Sequence, residues 1–178
     1  MLNFRNATPA DAVAIAQLHA SSWKENYRGL ISEDYLENEV EGERIAVWQK
    51  RFETMPDNRQ VLLAEVEGEL VGFVCSFLKD DSKWGTLLDN LHIVKAWQGK
   101  GLGRQLMQKA AEWSFQKAPT SSLFLWVLEG NDKAIAFYKK IGGKEVEREK
   151  KDLPGLGKIL AYRYVWTDLD DVSKYQRI

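Results

Sequence analysis

The stretch Gln98-Gly99-Lys100-Gly101-Leu102-Gly103-Arg104 places three of the chain's 13 glycines at alternate positions. A strand-like run, "TLLDNLHIV", precedes it and a helix-like run follows. A strand that passes through a glycine turn into a helix aims several main-chain N–H groups at one point. The helix dipole adds positive charge there, so the pattern makes an anion site. Lys100 and Arg104 add two cations. Two familiar phosphate loops do not fit. The P-loop needs a Lys-Ser/Thr pair that is absent. The dinucleotide fingerprint needs a third glycine where Leu106 stands. What remains is Gln98-x-x-Gly101-x-Gly103; a turn that only joins strand to helix is the plain alternative.

Just upstream, the strand carries two titratable side chains, Asp89 and His92. Strict alternation puts Asp89 on one face with Leu91 and Ile93, and His92 on the other with Asn90 and Val94. Downstream, "NDKAIAFYKKIGG" reads as a short helix with Asn131 in capping position and a glycine pair as its left-handed stop.

Other elements must hold these groups. "NFRNA" reads as a first strand, and Thr8, Pro9 and Asp11 open a capped helix that runs through Trp23. A charged helical region follows from Ser32 to about Phe52, interrupted at Gly42. Two strands joined at Glu67-Gly68-Glu69 form a hairpin. A helix is expected from about Gly101 to Lys117, with Leu102, Leu106, Ala110 and Trp113 on one face. "SSLFLWVL" is a buried strand, and a closing hairpin turns around Leu153 to Lys158. Mostly antiparallel strands followed by a strand-helix-strand unit imply a mixed sheet with helices on both faces: α/β, or α+β by stricter labels.

At 178 residues the chain is long enough for one domain spanning 1–178 to bury a core without staples. Lys and Arg number 25 against 26 Asp and Glu, so no basic excess points to nucleic acid. No apolar run approaches the ~20 residues that cross a bilayer, so no membrane is expected. "MLNFRNATPADA" lacks the features of a signal peptide, and a lone Cys75 reads as a small core residue. A cytoplasmic protein is expected.

Gln98-x-x-Gly101-x-Gly103 resembles the pyrophosphate-binding signature of the GNAT family of N-acetyltransferases. Asn131, Ala134, Phe137 and Tyr138 resemble that family's second motif, in the same order and at the same distance from the first. The resemblance covers roughly residues 60 to 166, and "SSWKENYRGLIS" is similar to a subset of small members. It implies a twisted, mostly antiparallel sheet of about six to seven strands, acetyl-CoA as cofactor, no metal, and a homodimer. Gln98, Gly99, Lys100, Gly101, Leu102, Gly103 and Arg104 would hold the diphosphate, with side chains missing at 99, 101 and 103 so that amides come close. Lys140 would meet the 3′-phosphate. Asn131 would bond the pantetheine arm, with helix capping as a compatible second role. Leu91 N–H would serve as oxyanion donor, with Ile93 and Val94 pairing the pantetheine. Tyr138 would protonate the leaving sulfur; its rival role is packing under the coenzyme.

The resemblance departs at the base. Where some members carry a catalytic Glu, this chain has Trp126; where others use alternate strand positions, it has Leu87 and Asp89. Asp89 therefore ranks first among the side chains as base or amine anchor and His92 second; otherwise water carries the proton. Gly143 stands where many members have Phe. For the acceptor, a primary amine or peptide N-terminus, Trp23 and Tyr27 with His19 form a four-residue stripe, pocket wall or core. Glu33, Glu37 and Glu41 form an acidic strip that would attract a polyamine or simply face solvent. A non-catalytic acyl-CoA-binding regulatory module is the alternative function.

Overall fold

Apolar residues without interruption in the middle of two strands decide the architecture, because such strands must be covered on both faces. The computed structural model describes residues 1–153 and 157–167. β2 (Arg59–Val66) and β3 (Glu69–Asp81) carry those runs. Their odd residues Val61, Leu63, Phe73 and Cys75 pack on one side with Ile15, Trp48 and Phe52. Their even residues Leu62, Ala64 and Val74 pack on the other with Leu102, Leu106 and Met107. The helices on the first side are α1 (Ala12–Asn26) and α2 (Val40–Phe52); those on the second are α3 (Leu102–Lys117) and α4 (Asp132–Lys140).

One seven-stranded sheet results, with β1 (Leu2–Asn6), β4 (Gly85–Ile93), β5 (Leu123–Leu128), β6 (Lys144–Leu153) and β7 (Gly157–Trp166) in the order β1-β2-β3-β4-β5-β7-β6. Only β4 and β5 run parallel. This is the mixed, mostly antiparallel sheet with helices on both faces that the sequence implies. The β2–β3 turn is tighter than expected: Val66 pairs with Glu69, leaving Glu67 and Gly68 as the loop, with φ of 54° and 86°. Two left-handed residues in a two-residue loop match the twist of the flanking strands. The capping pair forms as read: the Asp11 carboxylate accepts from Thr8 N–H at 2.7 Å and from the Thr8 hydroxyl at 2.9 Å.

Gly42 does not interrupt its helix. It lies inside α2, and the irregularity is a π-turn just before it, Tyr35–Glu39. The turn of the closing hairpin, 154–156, lies outside the described residues; its flanking strands pair as far as Leu153 opposite Gly157.

β4 holds the deviation that shapes the site. Cys75 of β3 pairs with Asn90, but Ser76 pairs with Leu88, so Asp89 is an extra residue in a bulge. A bulge resets the alternation of faces and bends its strand.

Candidate active site

The parallel pairing of β4 with β5 is confined to Thr86 opposite Leu123 and Leu87 opposite Phe124. Beyond those pairs the two strands diverge, and between them opens a cleft of about 1130 Å³. Val94 N–H donates to Val71 O at 3.0 Å, which fixes the phase of the β3–β4 ladder. By antiparallel alternation, the main-chain groups of Leu91 and Ile93 then point away from β3, toward the gap. Val94 has both main-chain groups engaged, since its carbonyl accepts from Trp97 N–H at 2.9 Å. Its side chain lines a separate groove beside α1. Leu91 and Ile93, without Val94, thus offer main-chain groups to the gap.

The three glycines of the turn differ in cause. Gly99 and Gly101 have φ of 73° and 83°, and a Cβ on either would meet nothing within 4 Å. They are there for conformation and open onto the cleft. Gly103, already helical, is there for space: a Cβ would lie 3.1 Å from Ile93 Cδ1 and 3.5 Å from Phe137 Cζ. Gln98 closes the turn by donating from Nε2 to Ile93 O at 3.2 Å. Gln98 and Arg104 line the cleft, as do Lys133 and Lys140 at the start and end of α4. Lys100 instead lies 5.0 Å over the Trp97 ring, and the Leu102 side chain is buried in the core. Open backbone at the positive end of the α3 dipole, with Arg104, Lys133 and Lys140 on the same cleft, fits the diphosphate of a coenzyme A.

α4 supplies the opposite wall. Asn131 caps it, its Oδ1 accepting from Ala134 N–H at 3.3 Å, and its Nδ2 donates to the Tyr27 hydroxyl oxygen at 3.4 Å. Tyr138 is buried with its ring against Tyr164 and Trp166, and it lines the cleft. Burial, with a smaller contribution from Tyr27, raises its phenol above the ordinary range, so the proton stays on oxygen at neutral pH. Trp23 and Tyr27 are both core and wall: each is buried, and each lines the cleft.

The floor departs from the alternation read in the sequence. Because of the bulge, Asp89 shares a face with Asn90 and His92, not with Leu91 and Ile93. Arg51 Nη1 holds both neighbours: it donates to Asn90 Oδ1 at 2.9 Å and lies 2.8 Å from Asp89 Oδ2. The first contact is an aligned hydrogen bond; the second is a charge pair. His92 is half-buried, with Nδ1 2.8 Å from Ser22 Oγ and its ring centroid 4.4 Å from that of His19. Burial, helped by the nearby Arg44 charge, pushes His92 down to about 4. His19 is pushed lower still by burial, and its Nδ1 accepts from Trp48 Nε1–H at 3.1 Å. Both rings are neutral at pH 7. Of the acidic strip, Glu33 and Glu37 pair with Arg28 in solvent at 2.8 and 2.5 Å, and none of the three glutamates lines the cleft.

Arg44 and Arg51 were not among the residues singled out from the sequence. They were findable: Arg44, Trp48 and Arg51 recur at helical spacing, which sets two cations on the apolar stripe of α2.

The acetyltransferase (GNAT) family model matches residues 15–143. The chain belongs to the GNAT acetyltransferase family. Across 172 residues it is 28% identical to the uncharacterized N-acetyltransferase YuaI of Bacillus subtilis, 95% of each chain being covered. It is 33% identical over 81 residues to a probable spermine N(1)-acetyltransferase of Bacillus subtilis subsp. natto, covering 43% of this chain and 53% of the relative. In fold it is similar to the PaiA N-acetyltransferase of Thermoplasma acidophilum in complex with coenzyme A, with a TM-score of 0.66 and 22% identity over 92% of this chain and 99% of that one. This GNAT chain is therefore an acetyltransferase.

Proposed function

We propose that this GNAT acetyltransferase moves an acetyl group from acetyl-CoA to a primary amine by direct attack, with both reactants held together in the cleft. The observation that carries this reading is the split between β4 and β5. It brings the glycine turn, the main-chain groups of Leu91 and the N–H of Ile93, the Tyr138 phenol and the Asp89–His92 floor onto one cavity.

When bound, acetyl-CoA supplies an activated acetyl thioester. The amides of residues 99 to 104, with Arg104 and Lys140, hold its phosphates, and Ile93 and Asn131 hold its arm. Leu91 N–H offers a hydrogen bond to the thioester carbonyl oxygen, where negative charge grows during attack. Asp89 draws in the acceptor's ammonium, which gives up one proton to water before the neutral amine attacks. His92 is neutral, and in the tautomer that donates Nδ1–H to Ser22 Oγ its Nε2 carries the lone pair that takes the second proton as the amine attacks. The Tyr138 hydroxyl holds a proton for the departing sulfur. Holding amine and thioester side by side in a walled cleft supplies much of the acceleration.

The test is paired. Calorimetric titration with acetyl-CoA should show saturable binding that Gly99→Val and Gly101→Val abolish. Free-thiol release with a panel of primary amines should then show turnover. Tight binding without release for any amine would replace this reading with that of a regulatory acyl-CoA module.

A further inference from the structure

The charges on the acceptor side of the cleft run against the polycationic substrate named for the spermine relative. Among the described residues, the cleft is lined by six cations and a single carboxylate, Asp89, which already faces Arg51 at 2.8 Å. Arg104, Lys133 and Lys140 surround the glycine turn and α4, where phosphates are proposed to sit. Three remain for the acceptor: Arg44, Arg51 and Lys151.

Arg44 is the most built-in of them. Its side chain is only 12% exposed, and its guanidinium lies 4.9 Å over the ring of Trp23, a wall residue. Its carboxylate partner, Glu43 at 2.5 Å, does not line the cleft and is shared with the Tyr35 hydroxyl. The Arg44 Nε–H is buried with no hydrogen-bond partner, so this guanidinium is under-satisfied by the protein alone. Its charge also reaches the floor, where it helps keep His92 and His19 neutral. A flat guanidinium stacked on an aromatic wall is pre-set to grip a planar or tetrahedral oxyanion.

We infer that the acceptor is an amine that also carries an oxyanion, a carboxylate or a phosphate, gripped by Arg44 with Arg51 beside it. Such a molecule would turn its ammonium toward Asp89 and its anion toward Arg44, both of which line the cleft. A polyamine would bring its distal ammonium groups beside Arg44, Arg51 and Lys151, each already paired with a carboxylate (Glu43, Asp89 and Glu149), and among the described residues the cleft wall offers them no unpaired carboxylate, an arrangement that disfavours such a partner. This inference rests on the acetyl-transfer reading above.

The experiment compares matched amines that differ only by the oxyanion, followed by free-thiol release: phenylalanine against phenethylamine, lysine against cadaverine, and phosphoethanolamine against ethanolamine. Spermidine serves as the polycation. In at least one pair the acidic member should exceed its partner in kcat/KM by about tenfold or more, the range set by one charge-assisted hydrogen bond, with spermidine poorest. The carboxylate pairs and the phosphate pair tell which oxyanion is meant. Arg44→Gln should bring the preferred ratio down toward one; a ratio that survives in both Arg44→Gln and Arg51→Gln overturns the assignment to these arginines. If Arg44→Gln does not fold, the wild-type ratios decide alone. Equal or better turnover of the non-acidic member in all three pairs overturns the inference while acetyl transfer stands. Release with no amine, despite acetyl-CoA binding, overturns both.

Discussion

At the scale of single residues, Tyr138 separates packing from chemistry. Its ring lies 6.3 Å from Tyr164 and 6.0 Å from Trp166, contacts that a phenylalanine would keep. Its hydroxyl makes no hydrogen bond to the described residues. Tyr138→Phe should therefore shift unfolding stability by less than about 1 kcal/mol, leave acetyl-CoA affinity intact, and lower kcat by roughly 10² if the phenol delivers the proton. Unchanged kcat in single-turnover kinetics would return Tyr138 to a packing role. The glycine at 143 has its own explanation. A Cβ there would lie 2.6 Å from Trp166 Cζ2 and 2.9 Å from Tyr138 O, so Trp166 occupies the space a larger residue would need. Trp166 is anchored by donating from Nε1 to Ile141 O at 2.9 Å. Cys75 is likewise accounted for as core: it is fully buried, and burial pushes its thiol up to about 12.

At the scale of elements, the start of α3 is the feature most exposed to a small change. Gly101 is the helix N-cap with φ of 83° and empty space around its missing Cβ. Gly101→Ala should therefore cost only the left-handed conformation, roughly 1–2 kcal/mol in denaturant unfolding. It should also weaken acetyl-CoA binding by re-aiming the amides of the turn. Gly103→Ala acts differently, because its Cβ would press Ile93 at 3.1 Å rather than strain the backbone. Its effect should appear as a shift of α3 against β4. A binding loss for Gly103→Ala alone, measured by calorimetry, would contradict this division of labour. The bulge at Asp89 is the other decisive element-scale feature, since one added residue moves a carboxylate from the Leu91 face to the Arg51 face.

At the scale of the whole molecule, α1, α2 and the sheet meet around His19 and His92, the chain's two histidines. Both have folded-state pKa values below the ordinary 6.5, and His92 lies near 4. The unfolded chain therefore binds protons that the folded one refuses. Stability is complete above pH 6.5 and falls as the pH drops toward 4. Each histidine should remove about 2 kcal/mol by pH 5. Urea midpoints at pH 8, 6.5 and 5 check this, because carboxylates titrate mostly below that window. A midpoint that does not fall between pH 6.5 and 5 would show that these rings are not buried neutral. The β4–β5 split is also a whole-molecule property: it exists because Thr86 and Leu87 pair with β5 while the bulge carries the rest of β4 away.

What the chain's own letters determined is local. The glycine turn, the Asn131 cap, the hairpin at Glu67-Gly68-Glu69 and the order of strands and helices follow from backbone freedom, capping and hydrophobic periodicity, which act over a few neighbouring residues. The mixed sheet with helices on both faces followed from those. Tertiary structure alone decided the floor of the cleft. The register of β4 depends on β3, so the alternation that grouped Asp89 with Leu91 could not reveal the bulge. Arg44 and Arg51 sit on α2, about 40 residues before the strand they face, and only the packing of α2 on the sheet turns their charges into the cleft. The pairing of distant segments is a competition among many long-range contacts. No short stretch of sequence contains it.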